Sequence, residues 1–323
     1  MKIVFQHNGI LPVKKYGGIE RILFWHMKEL AKRGHDVVLI GHKESQVEDL
    51  GITLIPTPTN AEDIAPLIPN DADIIHLTYN FIPDCKVPTL VNMQCNGQIG
   101  ERFPKNTVFV SKKHAENHGS DVFIYNALDF DEYPFPTKEK TSFENFLFLA
   151  KGSWSVKNLK HCIKACKKAK KHLHIAGGRS YLPSRYIHSH GMVGGDEKIS
   201  IMKNCDAFLF PVRWHEPFGI AIIEAMAMGM PVFGSPYGSL PEIIQEGAGK
   251  VCNNRDELFQ EINAKENHYD REKIRKYVED KFSIQRLTDE YIKLYEKIIS
   301  GENLNANEPT WKLTQGPEDL LPY

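Results

Sequence analysis

The chain has 323 residues, a formal net charge of -1 and 41% hydrophobic residues. Its length is about twice that of a usual domain, so two domains with a core each are expected. The near-neutral charge gives no general attraction for nucleic acid or an anionic membrane. No apolar run approaches the ~20 residues of a membrane span, and MKIVFQH reads as a strand at once, leaving no room for a signal peptide. The expectation is a cytoplasmic protein. Six cysteines (85, 95, 162, 166, 205 and 252) form no CxxC pair. They read as reduced core residues, although Cys162 and Cys166, four apart in a helical pattern, could touch.

In chain order, KIVFQH (2–7) predicts a strand and GGIERILFWHMKELAKRG (17–34) a helix closed by Gly34. Candidate strands follow at 36–41, 52–56, 72–79, 87–93, 106–111 and 121–126. The polar segment 129–144 carries two prolines and reads as a domain boundary. The alternation then restarts with a strand at 145–150, a helix at 157–170, a strand at 172–178 and a helix near 196–204. A strand at 206–211, a helix at 217–228, a strand at 231–235, a helix at 239–246 and a strand at 249–252 come next. Helices are expected near 255–264 and 270–280, then a strongly amphipathic one at 283–300. Residues 301–323 are polar, and a loosely ordered tail is expected. Near-continuous apolar strands alternating with helices imply parallel sheets covered by helices. The fold class is therefore α/β: two doubly wound, Rossmann-like domains, at 1–135 and 145–282. In such sheets ligands sit at the carboxyl ends of the strands, so a central cleft faced by both domains is expected.

The segment HEPFGIAIIEAMAMGMPV places Glu216 and Glu224 eight positions apart around an apolar helix. With Pro217 at the first helical position, the N–H groups of Phe218, Gly219 and Ile220 would point from the helix end and form an anion site. The two carboxylates, ~12 Å apart along such an axis, match the span of a nucleotide-sugar and are natural acceptors for vicinal hydroxyls. The competing reading is a helix with one capping and one solvent-facing glutamate. Lys151 and Lys157 flank the loop after the strand at 145–150, where fixed cations would stabilise a departing diphosphate. Gly17 and Gly18, between the first strand and helix, would let a ligand approach the backbone. The DxD triplets Asp71–Asp73 and Asp129–Asp131 have no supporting site. The pairs His172/His174 and His188/His190 could each share a strand face, but without a third ligand zinc is not expected.

The segment E216-PFGIAII-E224-AMAMGMPV resembles the E-x7-E motif of retaining glycosyltransferase family 4, which has the GT-B fold. The likeness takes in Gly17-Gly18, D-I-I-H76, Val110-Ser111, Y-N126-A-L-D129 and K151…K157. It continues through G177-G178, G191-M-V193, D206-A-F-L-F-P211 and G238-S-L-P-E242. The resemblance implies transfer of a sugar from a nucleotide-diphosphate-sugar donor, with retention and without a metal or other cofactor. It implies that Glu224 binds ribose, that Glu216 and the backbone around Phe218-Gly219 hold the donor sugar, and that Lys157 and Lys151 bind the diphosphate. Val193 would meet the base, and the helix at 283–300 would cross back to brace the first domain. Gly18 joins the donor-side set. Gly17, Gln94 and His76 are the acceptor-side candidates, and Glu216, Lys157 and Lys151 the catalytic ones.

This sequence departs from the family in three places. Lys151 replaces an arginine fork by a point charge. Gln94 stands where a histidine is frequent; glutamine is no general base, so proton transfer would fall to the leaving phosphate or the activity would be altered. Asn126-Ala127 stands where Asn-Gly is usual. The implied acceptor is a glycan or a lipid-linked glycan. Peripheral contact with the inner face of a membrane through Ile22, Leu23, Phe24 and Trp25 competes with a core role for that helix face. A catalytically silent nucleotide-sugar-binding or scaffolding protein and a nucleotide-sugar epimerase are the alternative functions.

Overall fold

The computed structural model describes residues 1–15, 17–58, 63–137, 140–180 and 184–323. The chain divides into two compact units. The first comprises residues 1–13, 17–128 and 284–314, the second residues 14–16, 129–283 and 315–323. Residues 138 and 139 of the expected boundary segment lie outside the described residues.

The sheet of the first unit contains β1 (Lys2–His7), β2 (Asp36–Gly41), β3 (Ile52–Pro56), β4 (Ile74–Leu77), β5 (Thr89–Met93) and β6 (Thr107–Phe109). Their spatial order is β3-β2-β1-β4-β5-β6, and every pair is parallel. The strand order therefore reverses direction between β1 and β4. Helix α1 (Gly18–Lys32) packs on β2 and β3, while α2 (Lys112–Asn117) packs on β6. Ser111, expected to end a strand, instead caps α2 by accepting from the N–H of His114 at 3.1 Å.

The expected strand at 121–126 does not form. Phe123 makes one isolated bridge to Phe109, because β6 is only three residues long and offers little edge to pair with. Ile22, Leu23 and Trp25 of α1 are buried, which assigns that face to the core rather than to a membrane. Among the described residues no helix is long and apolar enough to cross a membrane.

The second unit repeats the plan with β7 (Asn145–Leu149), β8 (His172–Ala176), β9 (Ile187–Gly191), β10 (Ala207–Phe210), β11 (Val232–Gly234) and β12 (Gly249–Val251). The order β12-β11-β10-β7-β8-β9 is again parallel, and it reverses between β7 and β10. Around it lie α3 (Leu159–Ala169), α4 (Gly195–Asn204), α5 (Ile220–Ala227), α6 (Leu240–Ile243), α7 (Arg255–Ile262) and α8 (Arg271–Lys281). Cys162 and Cys166 are free, fully buried thiols on α3, and burial raises the pKa of both.

The last helix, α9 (Ile284–Ile299), belongs to the first unit and packs on α1 and β5. The tail beyond it is not loose. Asn305 is buried and donates its side-chain amide to the carbonyls of Lys105 and Thr107, and Trp311 and Leu321 are buried. A few apolar anchors and one amide that serves the sheet edge outweigh the polar average of this stretch.

Candidate active site

In the second unit the strand order reverses between β7 and β10, and a doubly wound sheet places its ligand at the carboxyl ends beside such a reversal. The two loops leaving those ends are joined there. Asn158, left-handed at φ 62°, donates its side-chain amide to the carbonyl of Pro211 at 2.7 Å, and the Arg213 N–H donates to the Val156 carbonyl at 2.7 Å. Glycines let the neighbouring loop close in. The Gly152 N–H donates to the Gly177 carbonyl at 2.8 Å, and a Cβ at Gly177 would stand 2.3 Å from the Ala150 carbonyl oxygen.

These joints bring Lys157 onto Glu216. The Lys157 ammonium lies 2.9 and 2.6 Å from the two carboxylate oxygens, and the Trp214 indole N–H donates to one of them at 2.6 Å. Lys157 and Glu216 are only 7% and 6% exposed. The rings of Trp214 and Phe210, 4.7 and 5.2 Å from Lys157 Nζ, complete a cage around the cation. Lys151 is exposed, with its ammonium 5.2 Å from the Trp154 ring.

Two local expectations are corrected. Helix α5 begins at Ile220, so Pro217 precedes it and only Ile220 of the expected N–H trio is helical. The cause is Gly219, left-handed at φ 84° in the cap position, where the chain turns to bury Phe218 against Phe282. Lys157 likewise closes a short 3-10 turn, Ser155–Lys157, rather than starting α3.

Glu224 lies inside α5 and is buried. Its Oε1 accepts from the Lys198 ammonium at 2.5 Å and from the Tyr133 hydroxyl at 2.5 Å. Lys198 also donates to the Tyr133 hydroxyl at 3.2 Å. Glu224 is thus neither a cap nor solvent-facing. Lys198, Tyr133 and Trp214 were not singled out in the sequence. Trp214 two positions before Glu216 was the readable hint, whereas nothing local marks Lys198 among so many lysines. Val193 is buried in the link from β9 to α4.

The first-unit candidates separate. Gly17 takes the cap position of α1 at φ 152°, and Gly18 is the first helical residue. Gln94 exchanges paired amide hydrogen bonds with Asn126, at 3.1 and 2.8 Å, and donates to Asn92 at 2.5 Å. His76 does not stand at an acceptor site. It is buried in the core beneath α9, bonded to the Tyr295 hydroxyl at 2.6 Å, with burial lowering its pKa to about 3.

Among the described residues no group of three or more His, Cys, Asp or Glu is placed to hold a metal. Asp71 and Asp73 are taken up by Lys2, and Asp129 accepts from the N–H of Asp131. The four histidines of β8 and β9 stack as a ladder, His172 bonded to His188 at 2.8 Å and His174 to His190 at 3.1 Å.

Two parallel sheets of this order, each with its reversal, define the GT-B fold of glycosyltransferases. Residues 129–281 match the family model for Glycosyl transferases group 1. The fold is shared with AviGT4, a glycosyltransferase involved in avilamycin A biosynthesis, at a TM-score of 0.77 and 19% identity over 96% of this chain and 99% of that one. It is shared also with Anabaena Alr3699/HepE, solved in complex with UDP-glucose, at a TM-score of 0.66 and 16% identity over 93% of this chain and 100% of that one. In sequence, the chain is 29% identical over 92 residues to N-acetyl-alpha-D-glucosaminyl L-malate synthase of Bacillus anthracis, covering 26% of this chain and 24% of that protein. Another curated relative, an uncharacterised 41.2 kDa protein of the Klebsiella pneumoniae cps region, is matched over 31% of its length. The chain thus aligns with about a third or less of these two curated relatives.

Proposed function

We propose that the chain is a retaining, metal-independent glycosyltransferase of family 4 type. It moves a sugar from a nucleotide-diphosphate-sugar donor to a glycan or lipid-linked acceptor. The observation that carries this reading is the buried Lys157–Glu216 pair at the strand reversal of the second unit. A buried ion pair is weak as a stability device, since desolvation consumes most of its attraction. At the ligand end of a doubly wound sheet it suits exchange of partners. Diphosphate oxygens take over Lys157, and the released Glu216 carboxylate turns to the donor sugar.

In this reading Lys151 adds a second cation to the diphosphate, and the backbone around Phe218, Gly219 and Ile220 lines the sugar. Glu224 grips the ribose diol and Val193 meets the base. Gly18 approaches the donor through its backbone. The amide bonds of Gln94 leave no base at that position, so the leaving phosphate takes the acceptor proton. A lipid-linked acceptor would bring the chain to the inner face of a membrane.

The test is to incubate the chain with UDP-, GDP- and ADP-hexoses, following thermal stabilisation and nucleotide release. We expect one base to stabilise the fold and its donor to yield the free nucleoside diphosphate. Binding without any turnover would favour a silent binding protein. Conversion of the donor to its epimer with the nucleotide still attached would make it an epimerase.

A further inference from the structure

The first unit has its own strand reversal, between β1 and β4, and a cavity of about 360 Å³ opens there. It is lined by Gln6, His7 and Asn8 from the end of β1, Thr57 just past β3, and Tyr79 and Phe81 just past β4. Its volume lies within the ~300–1,000 Å³ usual for small-molecule sites. From this cavity we infer a binding site for a neutral sugar ring in the first unit, formed by His7, Thr57, Tyr79 and Phe81. Its role as the acceptor site rests on the glycosyl-transfer reading; the binding itself does not.

The chemistry of the lining selects the ligand. Tyr79 and Phe81 stack with ring centroids 5.9 Å apart, and Tyr79 is 37% exposed, giving an aromatic platform open to an incoming apolar face. Opposite lie amides, hydroxyls and an imidazole, which pair with hydroxyl groups. The Gln6 amide is already aligned by donating to Asn8 at 2.6 Å. His7 Nε2 and Thr57 Oγ1 are buried without a hydrogen-bond partner, a costly condition that a ligand hydroxyl relieves once either side chain rotates toward the cavity.

Charge narrows the class. No lining residue is a lysine, arginine, aspartate or glutamate. Burial lowers the pKa of His7, against an opposing effect of the nearby Glu20, and so favours the neutral imidazole. A phosphate or a uronic acid would find no cation there. A sugar ring has both required surfaces, C–H groups on one face and hydroxyls at the rim.

The experiment uses the full chain and saturation-transfer NMR with methyl glucoside, galactoside and mannoside, methyl glucuronide and octyl glucoside. We expect ring-proton signals from at least one neutral methyl glycoside and weaker ones from the glucuronide. Tyr79→Ala and the near-isosteric Thr57→Val should each lower that affinity about 3- to 10-fold. Octyl glucoside binding more tightly than methyl glucoside assigns the ring to a lipid-linked sugar, and equal binding to a soluble glycan; both support the site. Absence of signal from every neutral glycoside, preference for the glucuronide, or indifference to both substitutions overturns it. Nucleoside diphosphate binding is measured on the same samples. Its absence beside intact sugar binding strikes the transfer reading alone, and the reverse strikes this site alone.

Discussion

Gly238 lies against the backbone of Glu216 so closely that a Cβ on it would stand 2.3 Å from both the nitrogen and the carbonyl oxygen of Glu216. Gly238 is left-handed at φ 62°, and the next residue, Ser239, donates its N–H to the Glu216 carbonyl at 3.0 Å. Gly238→Ala must therefore displace Glu216 as well as strain its own backbone. The strain alone costs about 1–2 kcal/mol. We expect a lower unfolding midpoint in denaturant together with a loss of transfer. Wild-type stability in this variant would mean that the loop yields without cost.

Lys157→Ala leaves Glu216 as an uncompensated buried charge, which costs about 3–5 kcal/mol. Lys151→Ala removes an exposed charge and should change stability by no more than ~0.5 kcal/mol. The double variant Lys157→Met/Glu216→Gln should recover most of the stability while remaining inactive. Urea melts beside initial rates make the comparison, and equal stabilities for the two single variants would contradict the buried pair.

The two glutamates should fail differently. If Glu224 grips ribose, Glu224→Ala weakens free nucleoside diphosphate and intact donor alike, by about 10- to 150-fold for one charge-assisted hydrogen bond. Glu216→Ala should leave the free nucleotide almost unaffected and lower the transfer rate. Calorimetry with the nucleotide and kinetics with the donor separate them. A Glu216→Ala protein that no longer binds nucleotide would reverse the assigned order.

Acid should destabilise the first unit through His76. Its folded pKa, lowered to about 3 by burial, lies below the ordinary value of 6.5. The unfolded chain then binds the extra proton, so stability falls as pH drops below about 6.5 and keeps falling to about 3, by up to ~1.4 kcal/mol per pH unit for this group. His76→Phe/Tyr295→Phe removes the group and its hydroxyl partner and should flatten the acid limb by that slope. An unchanged slope would show that His76 does not govern it.

Donor binding and transfer should persist in excess chelator, because Lys157 and Lys151 supply the positive charge in this reading. Loss of both, restored by magnesium or manganese, would defeat the prediction.

The sequence alone determined the pattern of the two sheets. Short β-branched runs such as KIVFQH and DVVLIG alternate with one-sided apolar helices, and hydrophobic periodicity is a local property. It failed where local pattern did not decide: at Asp121–Asn126, which lacks a long strand to pair with, and in the tail, where Asn305, Trp311 and Leu321 act against its polar composition. The Glu216/Glu224 spacing was also legible, as was Lys157. Only the tertiary structure decided their partners. Lys157 reaches Glu216 across 59 residues, and Lys198 reaches Glu224 across 26. Which lysine meets which carboxylate depends on the strand order β10-β7-β8, which sets loops distant in sequence side by side. His76 shows the same limit: its motif placed it among site residues, and the helix packed over it made it part of the core.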